Sequence, residues 1–375
     1  LLMKIKHINM SKSYRWLKKE EAELIGKKPK PNEKNRPNAR YFLTEQEYND
    51  VLNHRSNKEL TVIGKSTCRN AKGGIVLEWT KTDRAKEDTL KALRIAVDTL
   101  KEEVKPIKSV AKPLLFDNDN LLNQYTLTDY HLGMMSWGEE TGDDWDLKLA
   151  EDTLVKFFEA AIATSPRANE CIFAQIGDFL HWDGLDAVTP ASKHVLDADS
   201  RFTKLVRVAI RVIKRVINML LNKYQVVNVL MAEGNHDPAS SVWLRELLHS
   251  LYEEEPRVII DTNPDPYYCL VFGKVCLFYH HAHKRRIKAL DTVFVGKFKK
   301  EFGASEFVYG HTGHLHHEVK IESNLMTIEQ HRTLAAKDAY ASRGGYLSGR
   351  DSKVITYHKK FGEVARNTIN INMLN

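Results

Sequence analysis

The sequence predicts a layered α/β body preceded by a small basic α+β domain, and three observations predict it. From about residue 125 onward, short apolar runs alternate with amphipathic helical stretches. Each of those apolar runs stops at Asp, Asn or His. The excess of positive charge is confined to the first third: residues 1–110 carry 25 Lys+Arg against 15 Asp+Glu, and residues 111–375 carry 31 against 34. The net charge of +7 is therefore a basic appendage set on a nearly neutral body. The expected division is a basic α+β domain over residues 1–110, a linker over 111–123 and the α/β body over 124–375.

Composition excludes several classes. With 42% hydrophobic and 28% charged residues the chain is not mostly disordered. No run approaches the ~18 apolar residues of a membrane span, and the first residues lack the apolar core of a secretory signal. Cys68, Cys171, Cys269 and Cys276 have no paired-ligand spacing and fall mainly in strand-like runs. Reduced thiols are expected, which points to the cytoplasm and excludes a disulfide scaffold.

The N-terminal third opens with the basic stretch Lys27-Lys28-Pro29-Lys30-Pro31, which reads as an arm. Thr44 followed by Glu45, Gln46 and Glu47 reads as a capped helix start over 44–52. Residues 60–63 and 74–79 read as two short strands. A helix is expected over 83–105, with Leu90, Leu93, Val97, Leu100 and Val104 forming one apolar stripe before Pro106. Helix, hairpin and basic charge together are compatible with a winged-helix-like nucleic-acid module, although no base-reading signature is present.

In the body, a strand over 125–128 ends at Asp129-Tyr130-His131. A helix over 146–163 points Leu149, Leu154, Phe157, Phe158 and Ala161 inward. The run Cys171-Ile172-Phe173-Ala174-Gln175-Ile176 ends at Gly177-Asp178. A long helix over 199–221 buries Phe202, Leu205, Ala209, Val212, Val216 and Leu220, with Lys204, Arg207, Arg211 and Lys214 outside. A strand over 226–232 ends at Glu233-Gly234-Asn235-His236-Asp237. A hairpin over 267–279, turning at Gly273-Lys274, ends at His280-His281-Ala282-His283. The run over 305–309 leads into Gly310-His311-Thr312-Gly313-His314-Leu315-His316. Beyond it, Val354-Ile355-Thr356-Tyr357 is strand-like and is expected to complete the second sheet of a sandwich.

The repetition carries the inference. Loops beyond the carboxyl ends of strands form the ligand crevice of layered α/β sheets, so five polar loops would converge on one edge. Imidazole and carboxylate without thiolate suit Mn²⁺, Fe or Zn²⁺. Gly177, Gly234 and Gly313 are expected to let the chain turn sharply at the strand ends.

Asp-x-His, Gly-Asp, Gly-Asn-His-Asp, a strand ending in His, and Gly-His-x-His occur here in that order over about residues 124–320. This series resembles the calcineurin-like metallophosphoesterase superfamily. The resemblance implies a two-sheet αββα sandwich and two divalent metal ions, Mn²⁺ first with Fe or Zn²⁺ as alternatives. It implies that Asp129, His131, Asp178 and His316 hold the first ion, and that Asp178, Asn235, His281 and His314 hold the second. His281 is preferred to His280 because His281-Ala282-His283 is similar to the family's His-Gly-His variant; His280 is the alternative. His236 would be the unliganded catalytic histidine. Gly177-Asp178-Phe179-Leu180-His181 is similar to the Gly-Asp-Leu-Phe-His of the Mre11/SbcD nucleases, which makes His181 the partner of His236. The tract after His316 is short for the ATPase-binding regions of that branch, so no specific protein partner is implied.

The resemblance and the charge asymmetry imply a phosphoesterase, foremost a phosphodiesterase or nuclease acting on DNA or RNA through a metal-bridging hydroxide. The alternatives are a hydrolase of a small phosphate ester or nucleotide, and a non-catalytic nucleic-acid-binding protein. The run His283-Lys284-Arg285-Arg286, with Lys297, Lys299 and Lys300, would suit flanking phosphates of a polymer.

Overall fold

Alternation of side chains along each strand sorts the apolar residues of the body into three layers. In a computed structural model, residues 118–374 are described, together with the backbone of Leu2–Lys4, Val62–Arg69 and Ile75–Thr82. The chain divides into two units, Leu1–Leu93 and Arg94–Asn375.

In the first unit, strands β1 (Leu2–Lys4), β2 (Val62–Arg69) and β3 (Ile75–Thr82) form an antiparallel sheet in the order β1-β3-β2. The hairpin over 60–79 is thus present with strands longer than expected, and β1 is an addition. The helices expected over 44–52 and 83–105, and the winged-helix arrangement, lie outside the described residues.

In the second unit a six-stranded sheet has the order β14-β13-β4-β5-β6-β7. Its strands are β4 (Leu121–Leu127), β5 (Glu170–Gln175), β6 (Val226–Met231), β7 (Val258–Ile260), β13 (Asp351–His358) and β14 (Gly362–Asn370). Strands β4 to β7 are mutually parallel, and β13 runs antiparallel beside β4. A five-stranded sheet has the order β11-β12-β10-β9-β8. It comprises β8 (Tyr268–Phe272), β9 (Val275–Tyr279), β10 (Phe307–Thr312), β11 (Val319–Glu322) and β12 (Thr327–Gln330).

Helices α1 (Gly138–Thr141), α2 (Leu147–Thr164), α3 (Phe202–Leu221) and α4 (Pro238–Leu251) follow strands of the first sheet. The last three cover its outer face, where Phe157, Phe158, Leu205, Val212 and Leu248 meet Tyr125, Phe173 and Val229. Opposite residues of the same strands, Leu122, Ile172 and Leu230, meet Tyr268, Leu277 and Tyr279 of the second sheet. That sheet's far face packs Phe278 and Ile328 against Leu290 and Phe294 of α5 (Leu290–Lys297). Two short helices, α6 (Lys299–Gly303) and α7 (Ala339–Arg343), complete the unit. The architecture is a mixed α/β sandwich of two sheets with helices outside.

Three local expectations are corrected. Strand β4 begins at Leu121 rather than at 125, because Asn123 and Gln124 interrupt the apolar pattern while being fully buried. Their amides are satisfied: Asn123 Nδ2 donates to Tyr224 Oη and to Pro166 O at 2.8 Å, and Gln124 Oε1 accepts from Tyr279 Oη at 2.9 Å. Leu149 is exposed, because Asp146 caps α2 by accepting from Leu149 N at 2.7 Å, and the inward face of that turn falls to Leu147 and Ala150. The C-terminal strands β13 and β14 extend the first sheet, not the second, through the pairing of β13 with β4. Cys171, Cys269 and Cys276 are free thiols. No described helix is long and apolar enough to cross a membrane.

Phe173 is fully buried, with its ring 5.1 Å from that of Phe158. Phe173→Ala removes this contact between β5 and α2 and should cost about 3–5 kcal/mol. Urea denaturation should show the midpoint falling with an unchanged slope.

Candidate metal centre

The polar residues that end the strands converge at one edge of the sandwich. Strand β4 delivers Asp129 and His131, β5 delivers Asp178, β6 delivers Asn235 and His236, β9 delivers His281, and β10 delivers His314 and His316. One ligand atom each from Asp129, His131 and His316 lies within 4.8 Å of the others, and so does one from each of Asp178, His281 and His314. The two triads adjoin, because His281 Nε2 is 3.0 Å from Asp178 Oδ2 and 3.7 Å from Asp129 Oδ1. His131 Nε2 and His316 Nε2 are 3.2 Å apart.

The backbone bends at the candidate ligand positions themselves. Among the described residues seven non-glycines have positive φ, and five of them are Asp129, His131, Asp178, His314 and His316. Side chains with a Cβ pay steric strain there, and such residues persist only where the surroundings hold them. Hydrogen bonds supply that hold. Asp129 N donates to Gly177 O at 3.0 Å, and His131 N donates to Asp178 O at 3.1 Å. Thr333 Oγ1 donates to Asp129 O at 2.7 Å. The glycine expectation needs revision here. Gly177 has a φ of 92°, but Gly234 and Gly313 are not in the left-handed region. They serve close approach instead: a Cβ on Gly234 would run into Asp178, and one on Gly313 into Thr128 and Asp129.

Asp129 and Asp178 are buried, and each is surrounded by donors. Asp129 accepts from Thr128 Oγ1 at 2.6 Å and from His314 N at 2.8 Å. Asp178 Oδ1 accepts from His236 N at 2.8 Å. Burial raises the Asp129 carboxyl, but His281 and His316 beside it outweigh that and hold it below its ordinary range. Burial acts likewise on Asp178, and His281 and His236 hold it well below. Burial disfavours a charged His281 ring, yet Asp178 and then Asp129 raise it to about 10. His131 is driven well down by burial and by His236.

Hydrogen bonds also set the tautomers. His281 Nδ1 lies 2.7 Å from Ile176 O, and because a carbonyl only accepts, Nδ1 carries a proton and leaves Nε2 facing the carboxylates. His280 points elsewhere: its ring stacks on Tyr267 at 4.3 Å and its Nδ1 accepts from Ala282 N. His236 Nδ1 donates to the backbone carbonyl of His181 at 2.8 Å. The His181 ring lies parallel to that of His236, with centroids 5.5 Å apart, while its Nδ1 is 3.3 Å from His131 Nδ1. The tie between His181 and His236 therefore runs through the main chain. Burial and His236 lower His181 to about 3, so it is neutral.

Several supporting residues have no signal in the sequence beyond their place in a motif. Asp237 Oδ2 accepts from Leu180 N at 3.0 Å and Oδ1 from Gly234 N at 3.1 Å, joining the β5 and β6 loops. Burial and then Asp178 raise its carboxyl to about 8. Asp183 accepts from Ala239 N and Ser240 N at 2.7 and 2.6 Å, capping α4 from another loop. Thr333 is far from any motif.

The donor set fits divalent cations. Asn235 Oδ1 is buried and accepts no hydrogen bond. Asn235 stands between Gly234, which abuts Asp178, and His236, which donates to it. Buried lone pairs without donors, beside carboxylates and imidazoles, are what hard or borderline cations require.

No protein-family description and no curated protein matches the chain. Among solved structures, it is similar to a predicted phosphoesterase from Streptococcus pneumoniae TIGR4 at 10% identity and a TM-score of 0.27, covering 67% of this chain and 98% of that one. It is similar to a novel archaeal phosphodiesterase at 14% and 0.33, covering 66% and 99%. A third is a dimetal phosphatase from Danio rerio at 9% and 0.32, covering 68% and 100%.

The raised His281 and lowered carboxylates set opposite pH limits on the metal-free protein. The His281 contribution is complete below its ordinary value of 6.5 and is lost as pH rises through about 10. The Asp129 and Asp178 contributions are present above 3.8 and lost as pH falls below it. Chelated protein should therefore lose stability between about pH 7 and pH 10. Ligation needs a neutral imidazole, so a divalent cation held by these residues should abolish that alkaline loss and bind more tightly as pH rises. Denaturation midpoints with and without chelator check both.

Proposed function

We propose that the chain is a dinuclear-metal phosphoesterase of the calcineurin-like kind that cleaves phosphodiesters of nucleic acid, with Mn²⁺ as its first-choice metal. Asp129, His131, Asp178 and His316 would hold one ion, and Asp178, Asn235, His281 and His314 the other. The observation that carries this reading is the pair of adjoining carboxylate–imidazole triads on strained turns at the ends of parallel strands. Bound ions would supply Lewis acidity and a nucleophile at neutral pH.

The remaining work falls to this chain's own groups. Asp129 and Asp178, held ionised by the histidines around them, fix two anionic positions about which the other ligands are arranged. His236, anchored through Nδ1 to the His181 carbonyl, presents Nε2 free to contact a phosphoryl oxygen and to protonate the departing oxygen. The parallel ring of His181 packs against it and limits its tilt. The Mre11/SbcD-like Gly177-Asp178-Phe179-Leu180-His181 and the basic first 110 residues favour a polymeric substrate over a small ester.

The test is hydrolysis of DNA, RNA, bis(p-nitrophenyl) phosphate and p-nitrophenyl phosphate with added manganese. Phosphodiesters should be cut, and His236→Ala should lower kcat about 10²–10⁴-fold while keeping the wild-type metal content. Turnover of monoesters alone contradicts the nucleic-acid assignment, and an active His236→Ala contradicts the role of that ring.

A further inference from the structure

Two stretches of the second unit concentrate cations. The outer face of α3 is one, but there Arg211 and Arg215 are met by Glu151 and Glu159 of α2, at 2.5 and 3.4 Å. The other is residues 283–300, with seven Lys+Arg and a single acid, Asp291, in a 111–375 region that is acidic elsewhere. Its start is tied to a loop of the candidate centre, and Lys297 near its end packs on a neighbouring ring. Lys284 Nζ is 2.7 Å from Glu233 Oε1, immediately before Gly234-Asn235-His236. Lys297 Nζ lies 4.7 Å from the centre of the Tyr267 ring, which in turn stacks on His280. Between these anchors Arg285, Arg286 and Lys288 are exposed, and none has an ion pair among the described residues.

Clustered solvated cations repel one another and raise the local concentration of polyanions, so three of them on one short turn suit a phosphate backbone. We infer that Arg285, Arg286 and Lys288 form a phosphate track that holds the backbone of a nucleic-acid strand beside the scissile phosphodiester. This rests on the phosphodiesterase reading above and adds to it where the flanking strand lies. The strand would leave the centre past His281 and His283 and run along the turn over 283–288. Guanidinium groups can grip phosphate oxygens in pairs, whereas an ammonium acts as a point charge, so the two arginines set the path and Lys288 adds attraction.

The experiment measures binding of a fluorescein-labelled single-stranded oligonucleotide to the full-length chain in EDTA, by anisotropy over a range of potassium chloride. Three phosphate contacts correspond to about two units in the slope of log K against log salt. Arg285→Gln/Arg286→Gln/Lys288→Gln should lower the slope by about that amount and weaken low-salt binding about tenfold or more. Lys204→Gln/Arg207→Gln/Lys214→Gln on α3 removes equal charge and should leave the slope in place. Arg285→Lys/Arg286→Lys should keep the slope, which separates charge from any effect on folding. An unchanged slope in the first variant, or an equal drop in the α3 variant or in the lysine variant, overturns the track. A chain that binds through the track but cuts no phosphodiester refutes the proposed function alone, and one that cuts nucleic acid with an unchanged slope refutes the track alone.

Discussion

Two carboxylates, Asp129 and Asp178, are buried side by side, and the rest of the molecule is arranged so that both can stay charged. A carboxylate taken out of water is tolerated only where donors and opposite charge replace the lost solvation. Here the replacement is local and redundant: Thr128 and the His314 amide on one, the His236 amide on the other, and His281 against both. In the metal-free protein a proton on His281 is the counter-charge. The proposed exchange of that proton for cations would also account for Asn235 Oδ1, which is buried without a donor.

The sandwich makes this burial possible. Five loops reach one edge only because β4, β5 and β6 run parallel in one sheet and β9 and β10 run parallel in the other. The apolar layer between them, with Leu122, Ile172, Leu277 and Ile355, holds the two edges in register. Left-handed turns at Asp129, His131, Asp178, His314 and His316 then aim the side chains inward. Strain at ligand positions is sustained by the ladder of main-chain bonds between the β4 and β5 loops.

Much of this was legible in the sequence because the same residues carry the pattern and the chemistry. Strand ends marked by Asp129, Asp178, Asn235, His281 and His314 are read directly, since an apolar run that stops at a polar residue says where the strand ends. Other features leave no such trace. The start of β4 is hidden by Asn123 and Gln124, whose burial depends on Tyr224 and Tyr279 far along the chain. The exposure of Leu149 follows from a cap one turn away, and the placement of β13 beside β4 is a pairing choice that alternation cannot reveal. Positive φ at non-glycine positions is invisible to propensity: the left-handed turn expected at Gly313 falls on His314, and Gly234 is kept small by Asp178 rather than by a turn. The main-chain link from His236 to His181, and the support of Asp129 by Thr333, are tertiary facts with no local signal.

The most direct measurement is anomalous diffraction at the manganese edge from crystals grown with that metal. Two peaks about 3.5–4 Å apart are expected, one against Asp129, His131 and His316 and the other against Asn235, His281 and His314, with Asp178 touching both. A single peak, or manganese held anywhere but between those two carboxylates, would contradict a dinuclear centre.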